Sequence, residues 1–161
     1  MATTSAELVI TSKAFKNQEE IPRINTCEGA NISPEISWVG VPDGTKVLAL
    51  IVDDPDAPDP AKPEKIFTHW VVYNIPKTAK GFSEGTKSFP NGTQHGRNDY
   101  GKKDYAGPCP PIGKHRYFFK LYALDSEFHF IAPPTSADLQ KAMVGHILGQ
   151  TEIVGLYKKN N

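Results

Sequence analysis

The stretch Tyr105–Tyr117 reads Tyr-Ala-Gly-Pro-Cys-Pro-Pro-Ile-Gly-Lys-His-Arg-Tyr, and no other part of the chain so restricts its own backbone. Its three prolines and two glycines fix an irregular path, because proline locks φ and glycine admits positive φ. This rigid loop runs directly into an aromatic-rich strand, His115–Leu124. Side chains alternate along a strand, so His115 and Tyr117 project to one side and Arg116 to the other. An imidazole and a phenol then meet at a strand mouth beneath a stiff loop with free amides, an arrangement suited to a small anion.

The remaining chain favours strands. It has 13 glycines and 14 prolines among 161 residues. Together with repeated short β-rich runs they predict a mostly-β fold with long ordered loops, as a single domain over 1–161 with a sizeable core. Glu7–Thr11 and Ile36–Trp38 read as short strands, and Asp43-Gly44 as a turn. Lys46–Asp53 is nearly continuously apolar, and Phe67–Ile75 is similar; both predict buried central strands. Lys77–Gly113 carries almost no periodic pattern, and so long a segment ending in the proline-rich loop is expected to be functional. Thr135-Ser-Ala-Asp138 resembles a capping box. Leu139, Met143 and Ile147 follow at four-residue spacing, which predicts a helix to about Leu148, and a last strand covers Glu152–Tyr157.

Several function classes are disfavoured. Lys plus Arg and Asp plus Glu are balanced at 18 each, so there is no overall electrostatic footprint for nucleic acid. Met1–Glu7 lacks the basic start and apolar core of a secretory leader. No apolar run approaches the roughly 20 residues that span a bilayer, so stable membrane insertion is not expected. The expected location is the cytoplasm. The two cysteines, Cys27 and Cys109, do not make a disulfide framework. They are expected as free thiols, with a single bridge between them left open.

Each central strand delivers polar residues near an end: Asp53, Asp54 and Asp56 after one, His69 on the second, His115 and Tyr117 on the third. Ionisable groups on buried strands need partners, and convergence of Asp54, His69 and His115 on one pocket would supply them. Carboxylates beside the imidazoles would raise their pKa and make them donors to an anion. Arg116, on the other face, is expected to pair with an acidic side chain. Singly, these residues have plainer readings: His69 as a core histidine, Asp54 and Asp56 as turn openers, Tyr117 as a core aromatic. Two other chemistries use the same set. Cys109, His115 and Asp54 could serve a hydrolase as nucleophile, base and orienting acid. His69, His115 and a carboxylate could hold zinc or iron.

Asp54-Pro-Asp-Ala-Pro58, Thr68-His-Trp-Val-Val-Tyr-Asn-Ile-Pro76, Gly107-Pro-Cys-Pro-Pro111 and Gly113-Lys-His-Arg-Tyr117 together resemble the phosphatidylethanolamine-binding protein family, also called Raf kinase inhibitor proteins. Cys27–Pro34, Gly96–Gly101 and the ending Gly-Leu-Tyr-Lys-Lys resemble its compact prokaryotic branch. The resemblance implies a β-sandwich around a large central antiparallel sheet, with one or two peripheral helices. It implies a pocket for phosphate or a phosphoethanolamine-like group, formed by Asp54, Asp56, His69, His115 and Tyr117, with Gly107, Pro108, Cys109 and Pro110 contributing the loop. Cis peptide bonds before prolines of the two motifs belong to the same expectation. So does a pocket left more open than that of animal members, whose C-terminal helix has no counterpart here. The implied role is non-enzymatic, without a cofactor: a modulator of a kinase pathway or a protease inhibitor, partnered by a protein kinase or a serine protease, with a homodimer by analogy.

Overall fold

A computed structural model describes residues 7–160; the leader reading of Met1–Glu7 falls, apart from Glu7, outside them. In chain order the strands are β1 (Val9–Thr11), β2 (Glu19–Glu20), β3 (Ile36–Val39), β4 (Val47–Ala57), β5 (Lys65–Pro76), β6 (Gly81–Phe82), β7 (Gln94–His95), β8 (His115–Leu124) and β9 (Ile147–Tyr157). Helix α1 (Ser136–Met143) lies between β8 and β9, and a 3₁₀ turn covers Arg23–Asn25. Between β5 and β8 only two-residue strands form, as the missing periodicity implied.

The long strands build a six-stranded sheet in the order β2-β9-β8-β4-β5-β7. A second sheet, β1-β3-β6, has three strands. The fold is thus the mostly-β sandwich expected, with one correction. The large sheet is mixed, because β2 runs parallel to β9 at its edge while its other pairs are antiparallel.

Ile10, Trp38 and Phe82 of the small sheet meet Leu48, Leu50, Val52, Val72 and Phe119 of the large one in the main core. The opposite face of the large sheet holds a second core, where Val47, Ala49, Ile51 and Val71 pack with Leu139 and Met143 of α1. Strand β4 therefore contributes alternate residues to two cores. Burial on both faces is why its sequence is continuously apolar rather than alternating.

Helix α1 starts as the sequence implies. Asp138 N donates to Thr135 Oγ1 at 3.2 Å, and Thr135 N donates to Asp138 Oδ2 at 3.1 Å, satisfying two amides that a helix start leaves open. It ends earlier than expected. Gly145 takes φ +84°, and Ile147 pairs with Leu124 at the head of β9 instead of extending the apolar stripe. Pairing with β8 overrides the local spacing.

Candidate functional site

Two register irregularities assemble the site. Val52 faces Trp70 and Asp53 faces Thr68, so His69 is an extra residue on β5. Such a bulge turns neighbouring side chains to one face, and His69 joins Trp70 on the main-core side, where its ring lies 5.2 Å from that of Tyr117. A second shift falls between Asp54 and Ala57. Asp54 stays on the His69 side, whereas Asp56 turns to the opposite face.

The Asp54 carboxylate is buried, and each of its oxygens has a partner. Its Oδ2 lies 2.6 Å from His115 Nδ1, and its Oδ1 accepts from Asp56 N at 2.7 Å. His115 has no solvent exposure. Its Nε2 lies 2.8 Å from the Ile112 carbonyl oxygen and 3.2 Å from that of Pro58. Both ring nitrogens therefore have partners within the protein. His115 was expected to donate to a bound anion; here its ring links Asp54 to the Ile112 and Pro58 carbonyls.

His69 donates Nδ1–H to the Ala106 carbonyl at 2.7 Å, and its Nε2 has no partner among the described residues. Burial pushes the His69 pKa below the ordinary histidine value, because the charged form is poorly solvated there. The expected upward shift beside carboxylates is overturned at this residue: Asp54 and Asp99 act in that direction, but desolvation outweighs them. The Tyr117 hydroxyl is buried with no hydrogen-bond partner among the described residues. Burial, assisted by nearby Asp54, raises its pKa and keeps the phenol protonated.

These side chains line a cavity of about 290 Å³ with Cys109, Pro110, Pro111, Pro58 and Ala57. Phe67, Tyr100 and Lys65 line it too and were missed in the sequence reading. Lys65, Phe67 and His69 stand at alternate positions of β5, so period-two alternation was the available signal. Tyr100 carried no such signal; it comes from a turn in which Asn98 Oδ1 accepts from Tyr100 N at 2.9 Å.

Three expected members do not line this cavity. Asp56 binds Arg116 instead, accepting from Nε at 3.0 Å, Nη2 at 2.9 Å and the backbone N at 2.9 Å. This is the acidic partner expected for Arg116, and the guanidinium holds the Asp56 carboxyl below the usual carboxylate range. Gly107 and Pro108 are framework. Gly107 N donates to Asn31 Oδ1 at 2.9 Å, and a Cβ on Gly107 would lie 2.3 Å from that oxygen, so only glycine fits. Pro108 accepts from Cys27 N at 3.1 Å. The loop also has fewer free amides than expected: prolines have none, Gly107 spends its own on Asn31, and Cys109 N is left without a partner among the described residues. The Ala57–Pro58 peptide is cis.

Cys27 and Cys109 form a disulfide, with Cα atoms 5.4 Å apart. The free-thiol expectation is thereby corrected, and Cys109 has no thiolate with which to act as a nucleophile. His115 has no free nitrogen to act as its base or to ligate a metal. Among the described residues, no three His, Cys, Asp or Glu side chains form a group that could hold a metal ion. Nothing in the geometry supports the hydrolase or metal readings. Among the same residues, no helix is long and apolar enough to cross a membrane.

Comparison with known proteins agrees with this architecture. The family model described as phosphatidylethanolamine-binding protein matches residues 11–158. A UPF0098 protein of Methanothermobacter thermautotrophicus is 47% identical over 149 residues, covering 91% of this chain and 95% of the relative. One from Aquifex aeolicus is 47% identical over 160 residues, covering 96% and 91%. The crystal structure of a putative phosphatidylethanolamine-binding protein homolog from Chlamydia trachomatis superposes with a TM-score of 0.88 at 38% identity, covering 96% of this chain and 99% of that one. Escherichia coli YbcL gives a TM-score of 0.86 at 33% identity, covering 96% and 100%. A carboxypeptidase Y inhibitor solved with its cognate proteinase shares the fold at a TM-score of 0.60 and 17% identity. With the family model matched over nearly all of the described residues and relatives alike along their full length, the chain belongs to the phosphatidylethanolamine-binding protein family.

Proposed function

We propose that this chain is a non-enzymatic binding protein whose pocket takes a small anionic group, phosphate or phosphoethanolamine-like, and whose occupancy regulates a protein partner. The observation that carries the reading is the Tyr117 hydroxyl. It is buried without a partner among the described residues, on a side chain that lines the cavity, and an unmet buried polar group costs about 1–3 kcal/mol. A ligand oxygen accepting from it would remove that cost. The positive charge of Lys65 at the rim favours an anionic ligand. The family name supports a phosphoethanolamine-like ligand, and the carboxypeptidase Y inhibitor solved with its cognate proteinase supports a serine protease as partner; a protein kinase is the other partner that the resemblance implies.

The test is calorimetric titration of phosphoethanolamine and inorganic phosphate into the wild type and Tyr117→Phe at about pH 6, where phosphate monoesters are near their second ionisation. Saturable binding is expected for the wild type, weakened about tenfold in the folded variant, which corresponds to about 1.4 kcal/mol. Absence of binding by the wild type would retire the anion reading.

A further inference from the structure

Much of the hydrogen-bonding capacity around the pocket is spent within the protein. Asp54 and His115 are satisfied by each other, by the Asp56 amide and by loop carbonyls. Asp56 and Arg116 engage one another on the opposite face. Five polar groups of lining residues remain without hydrogen-bond partners among the described residues: the Tyr117 hydroxyl, the Cys109 amide and Nε2 of His69, and the Lys65 ammonium and Tyr100 hydroxyl.

Nε2 of His69 has a definite sense. The Ala106 carbonyl, 2.7 Å from Nδ1, is only an acceptor, so Nδ1 carries a hydrogen. Burial keeps the ring neutral, and a neutral ring with Nδ1–H presents a lone pair at Nε2. The ionisable groups around it are Asp54 on β4, Lys65 on β5, His115 and Tyr117 on β8, and Asp99 and Tyr100 on the loop beside β5. None of them donates to Nε2. Nε2 of His69 is thus an acceptor set among donors.

We propose that the pocket selects a singly protonated phosphomonoester. Two of its phosphoryl oxygens accept from Tyr117 and Cys109, and its P–OH donates to Nε2 of His69. This inference rests on the anion-binding reading above. A dianion carries only acceptors and would set a lone pair against that of Nε2. A phosphodiester carries the same single charge but no P–OH. The shared chemistry is the P–OH group, present on soluble phosphomonoesters and on phosphatidic acid, and absent from diester lipids.

Methyl phosphate and dimethyl phosphate separate these cases by calorimetry between about pH 6 and pH 8, a range that spans the monoester's second ionisation but not the diester's. The affinity for methyl phosphate is expected to fall about tenfold per pH unit above that ionisation. Dimethyl phosphate is expected to bind at least about tenfold more weakly at the low end, having no hydrogen to donate. His69→Gln replaces the lone pair with an amide that can turn its NH₂ inward, so the preference for the monoester should collapse. Wild-type binding that is flat with pH, or equal for the two ligands, overturns this inference and leaves the anion reading standing. Failure of both ligands to bind overturns both. Should His69→Gln not fold, the comparison of ligands on the wild type decides alone. Co-sedimentation with phosphatidylcholine vesicles separates the sources: binding only when phosphatidic acid is included assigns a lipid monoester, whereas equal binding without it overturns the selection.

Discussion

At the scale of single residues, the site is held together by hydrogen bonds between its own side chains and loops. Asp54→Asn leaves His115 buried without its carboxylate. Breaking a buried pair in this way costs about 3–5 kcal/mol, and the loss should appear as a lower urea midpoint. Two residues of this region add acid sensitivity. The His69 pKa is lowered, so its contribution is present above the unfolded histidine value of about 6.5 and is lost as pH falls below it. Asp56 is lowered by Arg116, so its contribution is present above the unfolded value of about 3.9 and is lost as pH falls through the folded one. Urea midpoints measured against pH should therefore decline in two stages, and His69→Gln should lack the first. Arg116→Ala should shrink the second, since the residue 116 amide still donates to Asp56, and cost about 1 kcal/mol at neutral pH, a modest figure because the guanidinium is half exposed.

At the scale of elements, what is legible in the sequence is what local pattern controls. The apolar runs mark β4 and β5, the aromatic run marks β8, and Thr135 with Asp138 marks the start of α1. What is hidden depends on partners. Ile147 continues the helical spacing, yet β8 claims it. Nothing in the sequence displays the bulge at His69 or the shift after Asp54, although these two features decide that His69 faces the pocket and Asp56 does not. The Asp54, His69, His115 and Tyr117 cluster is legible as residue types at strand ends, but the exhaustion of His115 by main-chain carbonyls is not. Helix α1 depends on its own small core: Leu139 is fully buried against β4 and β5. Leu139→Ala should cost about 2–5 kcal/mol in chemical denaturation, with ligand affinity unchanged because the helix lies across the sheet from the pocket.

At the scale of the whole molecule, the disulfide joins positions 82 residues apart. Closing a loop of that size stabilises by about 4 kcal/mol in the chain-entropy view. Reduction should lower the denaturation midpoint accordingly, and it should also weaken ligand binding, since Cys109 lines the pocket. The bridge bears on location as well. Disulfides persist in oxidising compartments and are rare in the cytosol outside hyperthermophiles, which weighs against the cytoplasmic expectation for a mesophilic source. Acid-quenched thiol labelling in the native host tests this directly: Cys27 and Cys109 should be protected, and labelling of both would place the chain in a reducing compartment.

Burial of β4 on both faces has a kinetic consequence. Amides of Val47–Val52 sit between two cores, so their exchange with deuterated solvent should need opening of the entire fold. The 77–113 segment, tied mostly by turns and two short strands, should exchange through local openings. Asp54 is thus fixed on the slowest-exchanging part of the molecule, facing a loop that can breathe. Ligand binding should slow exchange on the loop side of the pocket and leave the β4 amides at the limit set by global stability.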